Sequence, residues 1–157
     1  MTLLYSNENG GQPGTHVFAV GVGSHPHLLG GTKKLANKPL GLKQLSSPPV
    51  STKALIDWFF APILAPGSIG FSNVLAPLST VEALVSDLAP LAVETPTGAK
   101  QLDPATRDNI QIAFESWLGR LSSNPDNIGV FYFCGHGLMV SEHFLVAEDF
   151  GRSNAQP

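Results

Sequence analysis

Val130-Phe131-Tyr132-Phe133-Cys134-Gly135-His136-Gly137 is the stretch that decides how this chain is read. Four bulky residues and a cysteine follow one another without a polar break, which predicts a strand apolar on both faces. Strands of that kind belong to parallel sheets with helices packed on each side. The run ends in a histidine between two glycines. Open parallel sheets bind ligands beyond the carboxyl ends of their strands, so this strand would deliver an imidazole to the mouth of the sheet.

Working outward from that strand, Asn124-Pro125-Asp126-Asn127 reads as the turn before it. Ahead of the turn, Ile110, Ala113, Phe114, Trp117, Leu118 and Leu121 form one stripe at helical spacing. Asp103 is expected to cap this helix, with Pro104 in its first turn. Val81 to Ser86 is the preferred second strand, with Ile69 to Leu75 as its competitor. Residues 88–102 predict a loop with a small hairpin, and residues 61–80 resist assignment. Ser51 or Thr52 is placed to cap a helix from Lys53 to about Phe60, which Pro62 would stop soon after. His16 to Gly23 is an apolar run ending in glycines and predicts the first strand. Residues 24–50 form a long Gly, Pro, Ser and Lys-rich loop, of the kind that is functional or mobile in a compact domain. Residues 1–15 read as a flexible lead-in. On the far side, Phe144 to Ala147 predicts a short strand. Strand, helix, strand, helix, strand is the βαβ pattern of an α/β domain.

Composition narrows the function classes. The chain has 157 residues, enough for one domain with a sizeable core. Its net charge of −3 argues against binding a nucleic-acid backbone. Lys33, Lys34, Lys38, Lys43 and Lys53 cluster early and read as a solvated loop. The most apolar region, Trp58 to Leu78, is interrupted by Pro62, Pro66, Gly67, Gly70, Asn73 and Pro77, a poor membrane span. A single cysteine excludes an intramolecular disulfide. With no leader pattern at the start, a cytoplasmic location is expected.

His136 is the leading candidate for chemistry. Many histidines at strand ends are structural, but the flanking glycines allow close backbone approach and free an N–H to face a ligand. An imidazole base beside such an N–H is half of an acyl-transfer site. Cys134 shares a strand face with His136 by alternation, yet a cysteine in an apolar strand normally behaves as a small inert hydrophobe. His25-Pro26-His27 has metal-like spacing without a matched third ligand, and a zinc site needs three or four. It therefore reads as plain loop. Glu148 and Asp149 read as solvated acids at a strand end. Trp58 and Trp117 read as core residues of their helices.

Phe131-Tyr132-Phe133-Cys134-Gly135-His136-Gly137 resembles the histidine motif of caspase-family cysteine peptidases, usually written with serine at the Cys134 position. Three segments agree in order: His16 to Gly23 with the family's first strand, Ala105 to Leu121 with the helix before the histidine, and Leu145 to Asp149 with the short strand segment after it. The likeness covers roughly residues 16–157 and is closest to bacterial caspase-like proteins. It implies a three-layer α/β/α caspase-like fold with a mostly parallel sheet, present here as the first three core strands and flanking helices. It implies His136 as the catalytic histidine of a Cys/His dyad and Gly137 as a backbone donor to the oxyanion hole, with no cofactor. In this family the nucleophile lies about 50 residues after the histidine, beyond Pro157, so the resemblance implies a second chain or downstream segment that carries it. The implied substrate is a protein or peptide. The sheet order would be second, first, histidine strand, leaving the histidine strand at an edge. The alternative is a non-catalytic caspase-like module that binds or regulates a partner protein.

Overall fold

A computed structural model describes residues 2–7, 10–36 and 40–152; Lys38 lies outside them. The molecule is built around β2 (Thr15–Val22), which is buried along its whole length. It pairs in parallel with β3 (Leu78–Ser86) on one side and with β6 (Ile128–Cys134) on the other. The strand chosen from Val81 to Ser86 is therefore correct in place, and the histidine strand does stand at an edge of the sheet.

Alternation along these strands divides the apolar residues between two faces. Val17, Ala19, Val81, Ala83, Val85, Val130 and Tyr132 pack with Ile56, Phe59 and Phe60 of α1 (Ser47–Leu64). Phe18, Val20, Val22, Leu84 and Phe133 pack with Ala113 and Trp117 of α2 (Arg107–Leu121). Helix, sheet and helix make an α/β architecture. The Trp117 indole N–H donates to the His16 carbonyl at 3.0 Å, tying α2 to the central strand.

Several boundaries differ from the sequence expectation. Residues 3–6, assigned to a flexible lead-in, form β1 (Leu3–Ser6), antiparallel to the outer side of β3. The sheet order is thus β1-β3-β2-β6. Leu4 supplies the reason, since its side chain is buried in the core. Helix α1 begins earlier and ends later than expected. Pro48 and Pro49 occupy its first turn, where free N–H groups lack partners anyway. Pro62 has no N–H to offer the Trp58 carbonyl. That carbonyl instead accepts from the Phe71 N–H at 3.1 Å, so it stays paired although the helical bond is lost at the proline. The return is tight: a side chain at Gly70 would meet the Trp58 oxygen at 2.6 Å. Trp58 itself is 43% exposed and packs against Phe59 and Phe71 at the surface, not in the core. Trp117 is buried, as expected.

Thr106, not Asp103, caps α2, its hydroxyl accepting from the Asn109 N–H at 3.3 Å. The Asp103 carbonyl is already taken by the Val85 N–H at 2.9 Å, which holds the chain on the sheet and delays the helix. The expected hairpin is present as β4 (Ala92–Thr95) and β5 (Gly98–Gln101). After β6 the chain makes a second hairpin, β7 (Gly137–Met139) with β8 (His143–Leu145). The strand expected at 144–147 is β8, displaced toward the N-terminus, and β7 is an element that sequence patterning did not predict. Among the described residues no helix is long and apolar enough to cross a membrane.

Candidate functional site

The carboxyl ends of β2 and β6 lie side by side, with Gly21 opposite Cys134. Past these ends the chain places two imidazoles in contact. His136 comes after β6, and His25 comes after β2; their ring centroids are 5.2 Å apart at an interplanar angle of 39°. His136 is half-buried and reachable from outside. His25 lies in a loop, as expected, but it is fully buried there and not a solvated loop residue.

One hydrogen bond fixes the protonation geometry of His136. Its Nε2 lies 2.7 Å from the Lys43 carbonyl oxygen. A carbonyl only accepts, so Nε2 carries the proton. In the neutral ring Nδ1 then holds the lone pair, the form a general base requires.

The loop between β2 and α1 that supplies this carbonyl is closed at its base by the Leu45 N–H, which donates to the Gly23 carbonyl at 2.9 Å. The approach demands a glycine: a side chain at Gly23 would meet the Leu45 oxygen at 2.5 Å and Pro49 at 2.7 Å. Gln44 then fastens His25. Its Oε1 accepts from the His25 N–H at 2.6 Å, and its Nε2 donates to the His25 carbonyl at 2.8 Å and the Leu29 carbonyl at 3.1 Å. Both ring nitrogens of His25 are buried without a hydrogen-bond partner among the described residues. Burial holds its pKa below the ordinary histidine value; the nearby His136 adds to this, and backbone groups of Ala147 and Val22 offset part of it.

Gly137 pairs with Leu145 in the β7–β8 hairpin. The Val146 N–H donates to the His136 carbonyl at 3.0 Å, so His136 turns its backbone groups toward the opposing strand. Successive residues of an antiparallel ladder alternate in direction. The Gly137 N–H therefore points away from β8. Gly135 is confined: a side chain there would meet the Phe133 ring at 3.0 Å and Val22 at 3.3 Å.

Cys134 is half-buried on the α1 side, beside Tyr132. The Tyr132 hydroxyl is pushed above its ordinary pKa first by burial and then by the adjoining Cys134 thiol. Glu148 and Asp149 are not simply solvated. The Ser86 hydroxyl donates to Glu148 at 2.6 Å, and the Arg107 N–H at the start of α2 donates to Asp149 at 2.9 Å. They hold the segment after β8 across the sheet. His27 bonds locally to the Lys34 carbonyl at 2.9 Å. No group of three or more potential metal ligands occurs among the described residues.

An apolar groove of about 550 Å³ flanks the hairpin, lined by Leu138, Val140, Phe144, Leu145 and Phe150 among others. Sequence patterning missed the parts of the site that lie on the loop, namely His25, the Lys43 carbonyl and Gln44. A signal for His25 was present. It stands just past the end of an apolar strand, as His136 does, and neighbouring parallel strands carry the residues at their carboxyl ends to one mouth.

A protein of Sinorhizobium fredii described as "Uncharacterized protein y4kE" is 39% identical to this chain over 111 residues. The match covers 65% of this chain and 31% of that protein, so it spans about a third of the relative's length. Neither a protein-family profile nor a solved structure matches the chain.

Proposed function

We propose that this chain supplies the histidine half of a caspase-like cysteine endopeptidase site, with a three-layer caspase-like fold of which β3, β2 and β6 are the first core strands. The observation that carries this reading is the orientation of His136: Nε2–H is committed to the Lys43 carbonyl, which leaves Nδ1 as the base. The next residue's N–H, at Gly137, is not used in pairing with β8, which supports the same reading.

In the proposed reaction a thiol on a segment outside residues 1–157 gives its proton to His136 Nδ1. The thiolate attacks the carbonyl carbon of a peptide bond, and the Gly137 N–H donates to the oxyanion. The imidazolium returns the proton to the leaving amine as the carbon–nitrogen bond breaks. Water, deprotonated by the same nitrogen, then hydrolyses the acyl-enzyme. The S. fredii relative is about three times as long as the matched stretch, which leaves room for such a segment in proteins of this kind.

Incubating the complete protein with peptide libraries and a thiol-directed peptide inhibitor tests the reading. Cleavage and inhibitor uptake are expected; absence of both overturns it. His136→Ala should abolish turnover. Cys134→Ser should leave turnover largely intact, since the half-buried Cys134 is turned against Tyr132 on the α1 side. Loss of activity in that variant would move the nucleophile to Cys134.

The exposed outer edge of β6 favours a second reading, a non-catalytic module that binds a partner there. Partner binding that survives His136→Ala in a protein without peptidase activity would support that alternative.

A further inference from the structure

Four contacts close a ring around His136. Its Nε2–H bonds the carbonyl of Lys43. The next residue, Gln44, grips both backbone polar groups of His25 through the two ends of its amide. The His25 ring, fully buried, returns to the His136 ring at 5.2 Å. A glutamine amide that satisfies one residue's N–H and C=O together holds that residue's backbone in a single orientation, and its third bond, to Leu29, anchors the amide to the loop. The ring contact limits the plane of His136, and the carbonyl sets its tautomer. Neither restraint comes from β6 itself, which ends at Cys134.

We propose that Gln44 and His25 are positioning residues for His136: a latch that keeps the imidazole in its Nε2–H form with Nδ1 turned out as the base. This deepens the peptidase reading, because it rests on His136 being that base. The physical logic is that of a supporting shell, where a reacting group is useful only when its own rotamer is locked by neighbours. Gln44→Ala releases the His25 N–H, leaves the His25 carbonyl only the Leu28 N–H at 3.1 Å, and slackens the loop that carries the Lys43 carbonyl. His25→Ala removes the wall behind the ring. In either case the imidazole gains freedom, and both tautomers become populated.

The test reads the latch without turnover. In the full chain labelled with ¹⁵N-histidine, long-range proton–nitrogen correlation spectra above pH 7 distinguish a protonated from a bare ring nitrogen. The expected parent pattern for His136 is a proton on Nε2 alone. Gln44→Ala and His25→Ala are expected to lose this single pattern while the rest of the spectrum stays folded; both retaining it overturns the proposal, as does a parent protonated at Nδ1. If either truncation unfolds, two conservative variants decide. Gln44→Glu keeps the acceptor for the His25 N–H but loses the donor to the His25 and Leu29 carbonyls. His25→Phe keeps an aromatic wall. Loss of the pattern in the first with retention in the second supports the latch, and any other pairing overturns it. A chain that passes this test, yet cleaves no peptide in its complete form, keeps the latch and loses the peptidase reading.

Discussion

His25 is the residue whose position most needs explaining. A buried polar group without a partner costs about 1–3 kcal/mol; neither ring nitrogen makes a well-formed hydrogen bond among the described residues, and backbone groups of Ala147 and Val22 relieve part of the cost. The cost is lower for a neutral ring than for a charged one, which is why burial lowers its pKa. His16 is lowered as well: burial is the main cause, a contact with Asn127 works against it, and the Arg120 charge adds to it. Between the lowered folded values and the unfolded value of about 6.5, the unfolded chain binds more protons. Stability is therefore fully present above that unfolded value and declines as pH falls below it. Urea midpoints should drop between pH 7.5 and 5.5, and His25→Phe should reduce the drop while leaving the chain at least as stable at pH 7.5. A midpoint that does not move over this interval would show that neither histidine is held neutral by the fold.

At the scale of elements, what the sequence disclosed depended on periodicity. The stripe from Ile110 to Leu121 and the unbroken apolar runs of β2 and β6 are long, repeated signals, and each element formed where it was read. The start of α2 was not legible, because Asp103 and Thr106 are both good caps. A long-range bond from Val85 to the Asp103 carbonyl decided between them. Thr106→Ala should cost about 1 kcal/mol in urea unfolding, with Thr106→Ser restoring most of it. A second tie between α2 and the sheet was equally hidden. Glu82 sits mid-strand in β3, almost fully buried, and pairs with Arg120 of α2. Sequence marked it only as one acid in an apolar run. Removing Arg120, whose side chain is itself partly exposed, leaves the buried Glu82 carboxylate with only the Thr2 hydroxyl, so Arg120→Ala should destabilise by about 3 kcal/mol, the low end for breaking a buried pair. Replacing both, Glu82→Leu with Arg120→Met, should recover most of that loss. The loop parts of the site carried no periodic signal at all: Gln44 acts through backbone groups nineteen positions away, and only the folded chain brings them together.

For the whole molecule the decisive feature is the outer edge of β6, the last strand of the four-stranded sheet. The strand's two faces are only partly covered by α1 and α2, and its inner edge is paired to β2, but among the described residues no strand pairs with its outer edge. Apolar side chains gather along that side: Ile128 and Phe131 on the strand, Phe114 and Leu118 on α2, Phe144 and Leu145 on the hairpin, each roughly 40–60% exposed. An unpaired strand edge bordered by such residues is a template for further pairing. The chain by itself should therefore associate reversibly, with sedimentation coefficients rising across the micromolar range. A lysine at the edge opposes strand addition, so Phe131→Lys should shift that rise to higher concentration; because the Phe131 ring also packs against Phe18 and meets Phe114 edge to face, circular dichroism must show that the fold survives the change. The same edge separates the two origins of association. If a segment bearing the nucleophile occupies it in the complete protein, that protein should sediment as a monomer under conditions where the 157-residue chain does not. Equal association of both forms would mean that the edge stays open in the longer protein too and that no continuation of the chain covers β6.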